Sequence, residues 1–330
     1  MFDFIPDYLY LFVFGLILLI KGGDWFVDSA SNIAKRFGLP ELLIGATVVS
    51  IGTTLPEVMT SATSALTGHG EIAYGNAIGS IICNTSLIAA VTVAIKPGKA
   101  DKKAMLFPVC AFFAVAAFYL VNAYFFGGFS LVSGIILLCA FVAYMVINVV
   151  NMKKGDATPD LELDQPHEEE VQGSFIKDII FILVGAGAIA IGADLLVESA
   201  TTIAKELNLP ESVIALTVVA LGTSLPELVT AITSLMKGHG ALSLGNIIGA
   251  NIFNLVLVSG ISVTLSPFDI PQGTELFGIN SSLVLDLPVM IVVMGLLTLP
   301  TLIKGKLSRW QGISLLAIYA AFCTVSFVIS

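Results

Sequence analysis

The chain has 330 residues, 56% hydrophobic and 12% charged, with a formal net charge of −9 and a mean hydropathy of +0.96. Soluble domains carry about 25% charged residues, so the composition reads as an all-α integral membrane protein set in a lipid bilayer. Seven acids fall between Asp156 and Glu170, and Lys and Arg form no basic patch, which speaks against a nucleic-acid partner.

Ten apolar stretches are long enough to cross about 30 Å of hydrocarbon at about 1.5 Å per residue. They are residues 8–34, 41–66, 71–95, 104–126, 128–150, 175–204, 211–236, 241–265, 281–303 and 309–329. Spans 1 and 6 exceed that need and are expected to tilt. Lys35 and Arg36 follow span 1, four lysines follow span 3, Lys153 and Lys154 follow span 5, and Lys237 follows span 7. Lys304, Lys306 and Arg309 lie between spans 9 and 10, whereas the alternate loops hold only Lys205. This asymmetry predicts a multi-pass protein of the cell membrane with both termini on the outer side. The stretch 151–174 is acidic, contains Pro159 and Pro166, and reads as a cytoplasmic tether. It divides the chain into a first five-helix unit, residues 1–150, and a second, residues 175–330. Cys83, Cys110, Cys139 and Cys323 lack metal-ligand spacing and are expected as packed membrane thiols.

The two units are copies. A shift of 170 aligns Gly52-Thr53-Thr54-Leu55-Pro56-Glu57 with Gly222-Thr223-Ser224-Leu225-Pro226-Glu227. It also aligns Asp24 with Asp194, Gly68-His69-Gly70 with Gly238-His239-Gly240, and Gly75-Asn76 with Gly245-Asn246. Five spans is an odd number, so the second copy enters the membrane upside down. That is the inverted-repeat plan of secondary transporters, with the site at the repeat interface and built from broken helices.

Within this plan Glu57 and Glu227 stand out, because a carboxylate in mid-membrane costs about 2.5–3.5 kcal/mol on insertion scales. Beside each acid stand a proline, which removes an N–H and frees a carbonyl one turn back, and neighbouring hydroxyls. Such hard oxygens suit Ca2+, Mg2+ or Na+. Ser80 and Asn84, four apart, share a helix face, and Asn254 mirrors Asn84. The glycine pairs 75/79 and 245/249 permit close helix contact or help to open the helix. Lys21 is spaced to pair with Asp24, Asp286 is expected near an interface, and the two Gly-His-Gly turns read as ordinary loops.

These paired motifs resemble the repeats of the cation/Ca2+ exchanger superfamily, and most resemble the prokaryotic sodium/calcium exchangers. The resemblance implies an antiporter, not an enzyme, that exchanges Ca2+ for Na+ by alternating access, with both ions as transported species and no obligate protein partner. It implies Glu57 and Glu227 as central ligands, with backbone carbonyls from Thr53, Thr223, Ser50 and Ala220. Thr54, Ser224 and Ser80 match positions lining the sodium sites. The chain departs from the pattern at Asn254, where several exchangers carry Asp, and at Ala250, where they carry Ser. A Ca2+/H+ antiporter and a non-exchanging ion channel are the competing readings, and the inverted repeat speaks against the channel.

Overall fold

A computed structural model describes residues 7–154, 174–206, 222, 224–272 and 275–329. Most of the predicted spans become helices within a few residues of their expected bounds. They are α1 (Asp7–Phe37), α2 (Glu41–Leu66), α3 (Gly70–Ile95), α4 (Lys102–Phe126), α5 (Leu131–Lys154), α6 (Phe175–Glu206), α7 (Leu225–Met236), α8 (Gly240–Leu265), α9 (Ser282–Lys304) and α10 (Arg309–Ile329). Among the described residues nine of these are long and apolar enough to cross a membrane, α7 being shorter. The opening part of predicted span 7 and most of the tether lie outside the described residues.

Local chemistry explains several boundaries. Asp101 caps α4 by accepting from the N–H groups of Lys103 at 2.8 Å and Ala104 at 3.1 Å. α2 and α7 end in matching turns, in which Gly68 has φ +80° and Gly238 φ +85°. His69 N–H then donates to the Ser64 carbonyl at 2.8 Å and His239 N–H to the Ser234 carbonyl at 2.7 Å. Only glycine adopts such φ without strain, so the repeated Gly-His-Gly motif encodes one turn twice.

The predicted helix break at Pro56 is absent: α2 runs unbroken through it. Its irregularity lies earlier, in a π-helical stretch at Gly45–Val49. Comparable stretches occur at Asn84–Ala89 in α3 and Asn254–Val258 in α8, beginning at mated positions. The serine that follows two of these turns donates its hydroxyl to the first carbonyl: Ser50 to Gly45 at 2.8 Å and Ser259 to Asn254 at 2.9 Å. Each bond satisfies an oxygen that the wide turn takes out of the regular ladder.

Packing falls into two apolar cores. The larger joins α3, α4, α5, α8, α9 and α10, with Tyr74, Phe112, Phe253 and Met294 at its centre. In the smaller, α1 and α6 lie together over α2 and α8 through Phe26, Val27, Ile44, Ile182 and Leu242. The α1–α6 contact is backbone on backbone. A Cβ on Gly15 would lie 2.9 Å from the Gly192 carbonyl, and one on Gly192 would lie 2.7 Å from the Gly15 carbonyl. Gly22 and Gly185 meet in the same reciprocal way at 2.9 Å. Gly185 and Gly192 are the mates of Gly15 and Gly22 at the shift of 170. Outside the helices, β1 (Gly128–Phe129) pairs antiparallel with β2 (Phe268–Asp269), and β3 (Glu275–Leu276) with β4 (Ile279–Asn280).

Two smaller expectations need correction. Asp24 takes Lys237, not Lys21, as its partner, because α7 ends beside α1. Cys110 and Cys139 are exposed on the apolar surface, and only Cys83 is fully packed. Asp286 stands at the start of α9, partly buried, with the Ser282 hydroxyl donating to it at 3.1 Å.

Candidate functional site

α8 enters the middle of the molecule because glycines let it approach α2. A Cβ on Gly245 would lie 2.1 Å from the Leu42 carbonyl, and one on Gly249 would lie 2.3 Å from Ser50 Oγ and 2.6 Å from Ala46 Cα. The glycines therefore serve close packing, and α8 stays helical at both. With α2 and α8 in contact, the first turn of α7 brings Glu227 into the neighbourhood of Glu57.

Both carboxyls are fully buried and lie within electrostatic reach of each other. None of their four oxygens has a hydrogen-bond partner among the described residues. The same holds for both amide atoms of Asn84 and of Asn254, and for the hydroxyls of Thr54 and Ser224. Ser50, Thr53 and Ser80 complete the predicted set, and every described member is at most 3% exposed. Thr223 and Ala220 lie outside the described residues.

An unpaired buried polar group costs about 1–3 kcal/mol, and a charged one more. A folded chain rarely leaves this many together unless something else satisfies them. Two carboxylates, amide oxygens and hydroxyls form an oxygen-only donor set of charge −2, suited to a hard cation. The residues thus fit one divalent or two monovalent cations as cargo.

One member of this neighbourhood escaped the sequence reading. Asn246 is fully buried on α8, and its Oδ1 accepts from Thr53 Oγ1 at 3.2 Å and Ser50 Oγ at 3.3 Å. The same Ser50 hydroxyl, whose one proton is shared among these acceptors, also stands 3.0 Å from the Asn246 carbonyl. Asn246 therefore ties the motif of the first half to a helix of the second. Its mate Asn76 works within one half, donating to Ser61 Oγ at 2.8 Å and to the Glu57 carbonyl at 3.3 Å. The repeated Gly-Asn pair was the available signal, though its glycine drew the attention. Asp24 and Asp28 belong elsewhere, with Lys237. Asp194 and Glu198 are exposed on α6.

The family model for sodium/calcium exchanger protein matches residues 8–150 and 177–328. The sodium/calcium exchanger MaX1 of Methanosarcina acetivorans is 33% identical over 97% of this chain and 98% of its own length. The inner membrane protein YrbG of Escherichia coli is 33% identical over 79% of this chain and 80% of its own. Among solved structures, the sodium-calcium exchanger NCX_Mj soaked with Na+ and Sr2+ superposes with a TM-score of 0.80. It is 32% identical and covers 95% of this chain and 97% of its own.

Proposed function

The chain belongs to the sodium/calcium exchanger family, and from that premise we propose that it exchanges Ca2+ for Na+ across the cell membrane by alternating access. The observation that carries this reading is the Glu57–Glu227 pair, buried, unpartnered and within electrostatic reach of each other on helices from opposite halves. One Ca2+ neutralises the pair, and so do two Na+, so either cargo competes for the same charge. Glu57 and Glu227 are the shared ligands in this account. Asn84, Asn254, Ser80, Thr54 and Ser224 add neutral oxygens that suit Na+, with backbone carbonyls from Ser50, Thr53, Ala220 and Thr223.

Ten helices in two inverted five-helix repeats, residues 1–150 and 175–330, are the proposed frame. Supporting it, the Gly15–Gly192 and Gly22–Gly185 contacts are the reciprocal pairing that a pseudo-twofold axis produces. The lysine-rich loops support a cytoplasmic position for the acidic tether 151–174 and an outer one for both termini.

The test is uptake of radioactive Ca2+ into proteoliposomes, driven first by an outward Na+ gradient and then by an outward proton gradient. Uptake with Na+ alone is expected. Uptake with the proton gradient alone makes the chain a Ca2+/H+ antiporter, in which two protons replace the sodium ions on the carboxyls. Ca2+ flux that needs neither gradient would point to a channel.

A further inference from the structure

α1 is tied at its lysine-rich end by two residues of a single turn. Lys237 Nζ lies 2.8 Å from Asp28 Oδ1 and 3.1 Å from Asp24 Oδ1, both on α1. Two residues further on, His239 Nδ1 lies 2.7 Å from Glu41 Oε1 at the start of α2. Ser31 of α1 donates to that same oxygen at 3.1 Å and stands 3.3 Å from His239 Nδ1. One turn between α7 and α8 thus grips both α1 and the head of α2. α1 is otherwise held to α6, backbone on backbone at the glycine pairs and through Arg36, 3.3 Å from Asp178, so the turn joins the α1–α6 pair to α2 and α7.

We propose that this turn is a latch on α1, and that Lys237 and His239 are positioning residues whose contacts must separate whenever the ion site opens to the lysine-rich face. The proposal rests on the alternating-access reading above, since only a site that opens to each face in turn needs such a latch. It is one-sided. The mate of Lys237 is Thr67, whose hydroxyl turns back to the Thr63 and Ser64 carbonyls at 3.0 and 3.1 Å. A cation is therefore built into one face of the molecule, and a neutral hydroxyl stands at the corresponding place on the other.

Burial lowers the Lys237 ammonium, but the Asp28 and Asp24 carboxylates outweigh it and leave it above the ordinary lysine range. Lys237 therefore stays charged at physiological pH.

The experiment uses the full chain in proteoliposomes, with the half-saturating Ca2+ concentration measured separately at each face. Lys237→Met and His239→Gln should each lower it at the lysine-rich face by about threefold, as expected for partly exposed ion pairs, without lowering it at the other. Lys237→Arg should retain the wild-type value, and Thr67→Lys, which installs a mirror latch, should raise it at the opposite face. A second readout needs no transport: amide hydrogen exchange across Ser31–Phe37 should quicken in both latch variants. Unchanged hydrogen exchange together with unchanged half-saturation, or an equal change at both faces, overturns the latch. Quickened hydrogen exchange in a chain that moves no Ca2+ would show that the turn holds α1 but would refute the transport reading on which the latch rests.

Discussion

Glu57 and Glu227 set the chemistry of the site, but neighbouring neutral residues fix where those charges stand. Asn246 is the clearest case, because its side-chain oxygen accepts from both Ser50 and Thr53. Asn246→Ala removes that acceptor from a fully buried place, which is expected to cost about 2 kcal/mol of stability. It should also weaken Ca2+ binding, since Thr53 loses the contact that orients it across the halves. Thermal unfolding and Ca2+ titration of the purified variant check both. Wild-type affinity in a destabilised but folded variant would show that Thr53 is not positioned through Asn246. Asn254 is fully buried with both amide atoms unpartnered. Asn254→Asp would add a third acid, and the expected result is a larger change in Na+ dependence than in Ca2+ affinity at neutral pH. The repeat made the carboxyls, the hydroxyls and the two asparagines legible in the sequence. The bridging role of Asn246 was not, because its mate Asn76 bonds within its own half, so symmetry alone suggests the wrong partners.

At the scale of the helix, the glycines of α8 decide how near the two halves come. Gly249→Ala places a methyl group 2.3 Å from Ser50 Oγ and 2.6 Å from Ala46 Cα, where backbone has to move. Overpacking of this kind costs about 1–3 kcal/mol, and the shift passes directly to the site. Gly295→Ala in α9 meets only Leu299 Cδ1 at 3.7 Å. It should be neutral or gain up to about 1 kcal/mol from helix propensity. Parallel melting curves separate the two expectations, and equal behaviour would show that α2 and α8 are not in close contact. Pro56 makes a complementary case. α2 is continuous through it, yet a proline donates no hydrogen bond to the carbonyl four residues back, at Gly52. Pro56→Ala restores that donor, so equal or greater thermal stability with weaker ion binding is expected. Unchanged affinity would show that the freed carbonyl plays no part. Hydropathy located the helices well because every span must be apolar for its full length. The π-helical turns left no such mark. They depend on where Ser50 and Ser259 find carbonyls to satisfy, which is a matter of packing rather than of period.

Across the whole molecule, the account is one of charge balance around a pseudo-twofold axis. Each half brings one buried acid, and the ionised pair holds −2. Carrying surplus charge through a low-dielectric interior is costly, since unit charges interact at about 332/(εr) kcal/mol. With Asn254 and Ala250 in place of further acid and hydroxyl groups, two Na+ per Ca2+ is the expected exchange. Its reversal potential should then follow the ion gradients and ignore membrane voltage. A voltage-dependent reversal would mean that a third Na+ is carried. The repeat was readable from residue spacing, and the proposed inversion follows from an odd number of spans. The grip of Lys237 on α1 was not, because Asp24 and Lys237 are 213 residues apart and the local spacing favoured Lys21. The central claim, that Glu57 and Glu227 form one shared site, is tested most directly by equilibrium Ca2+ binding to the purified chain. One Ca2+ per wild-type chain, displaced by Na+, is predicted. Glu57→Gln and Glu227→Gln should each weaken binding roughly a hundredfold, about 3 kcal/mol, while the variants remain folded. Wild-type affinity in either variant, or half the binding capacity left at full affinity, would contradict the shared site.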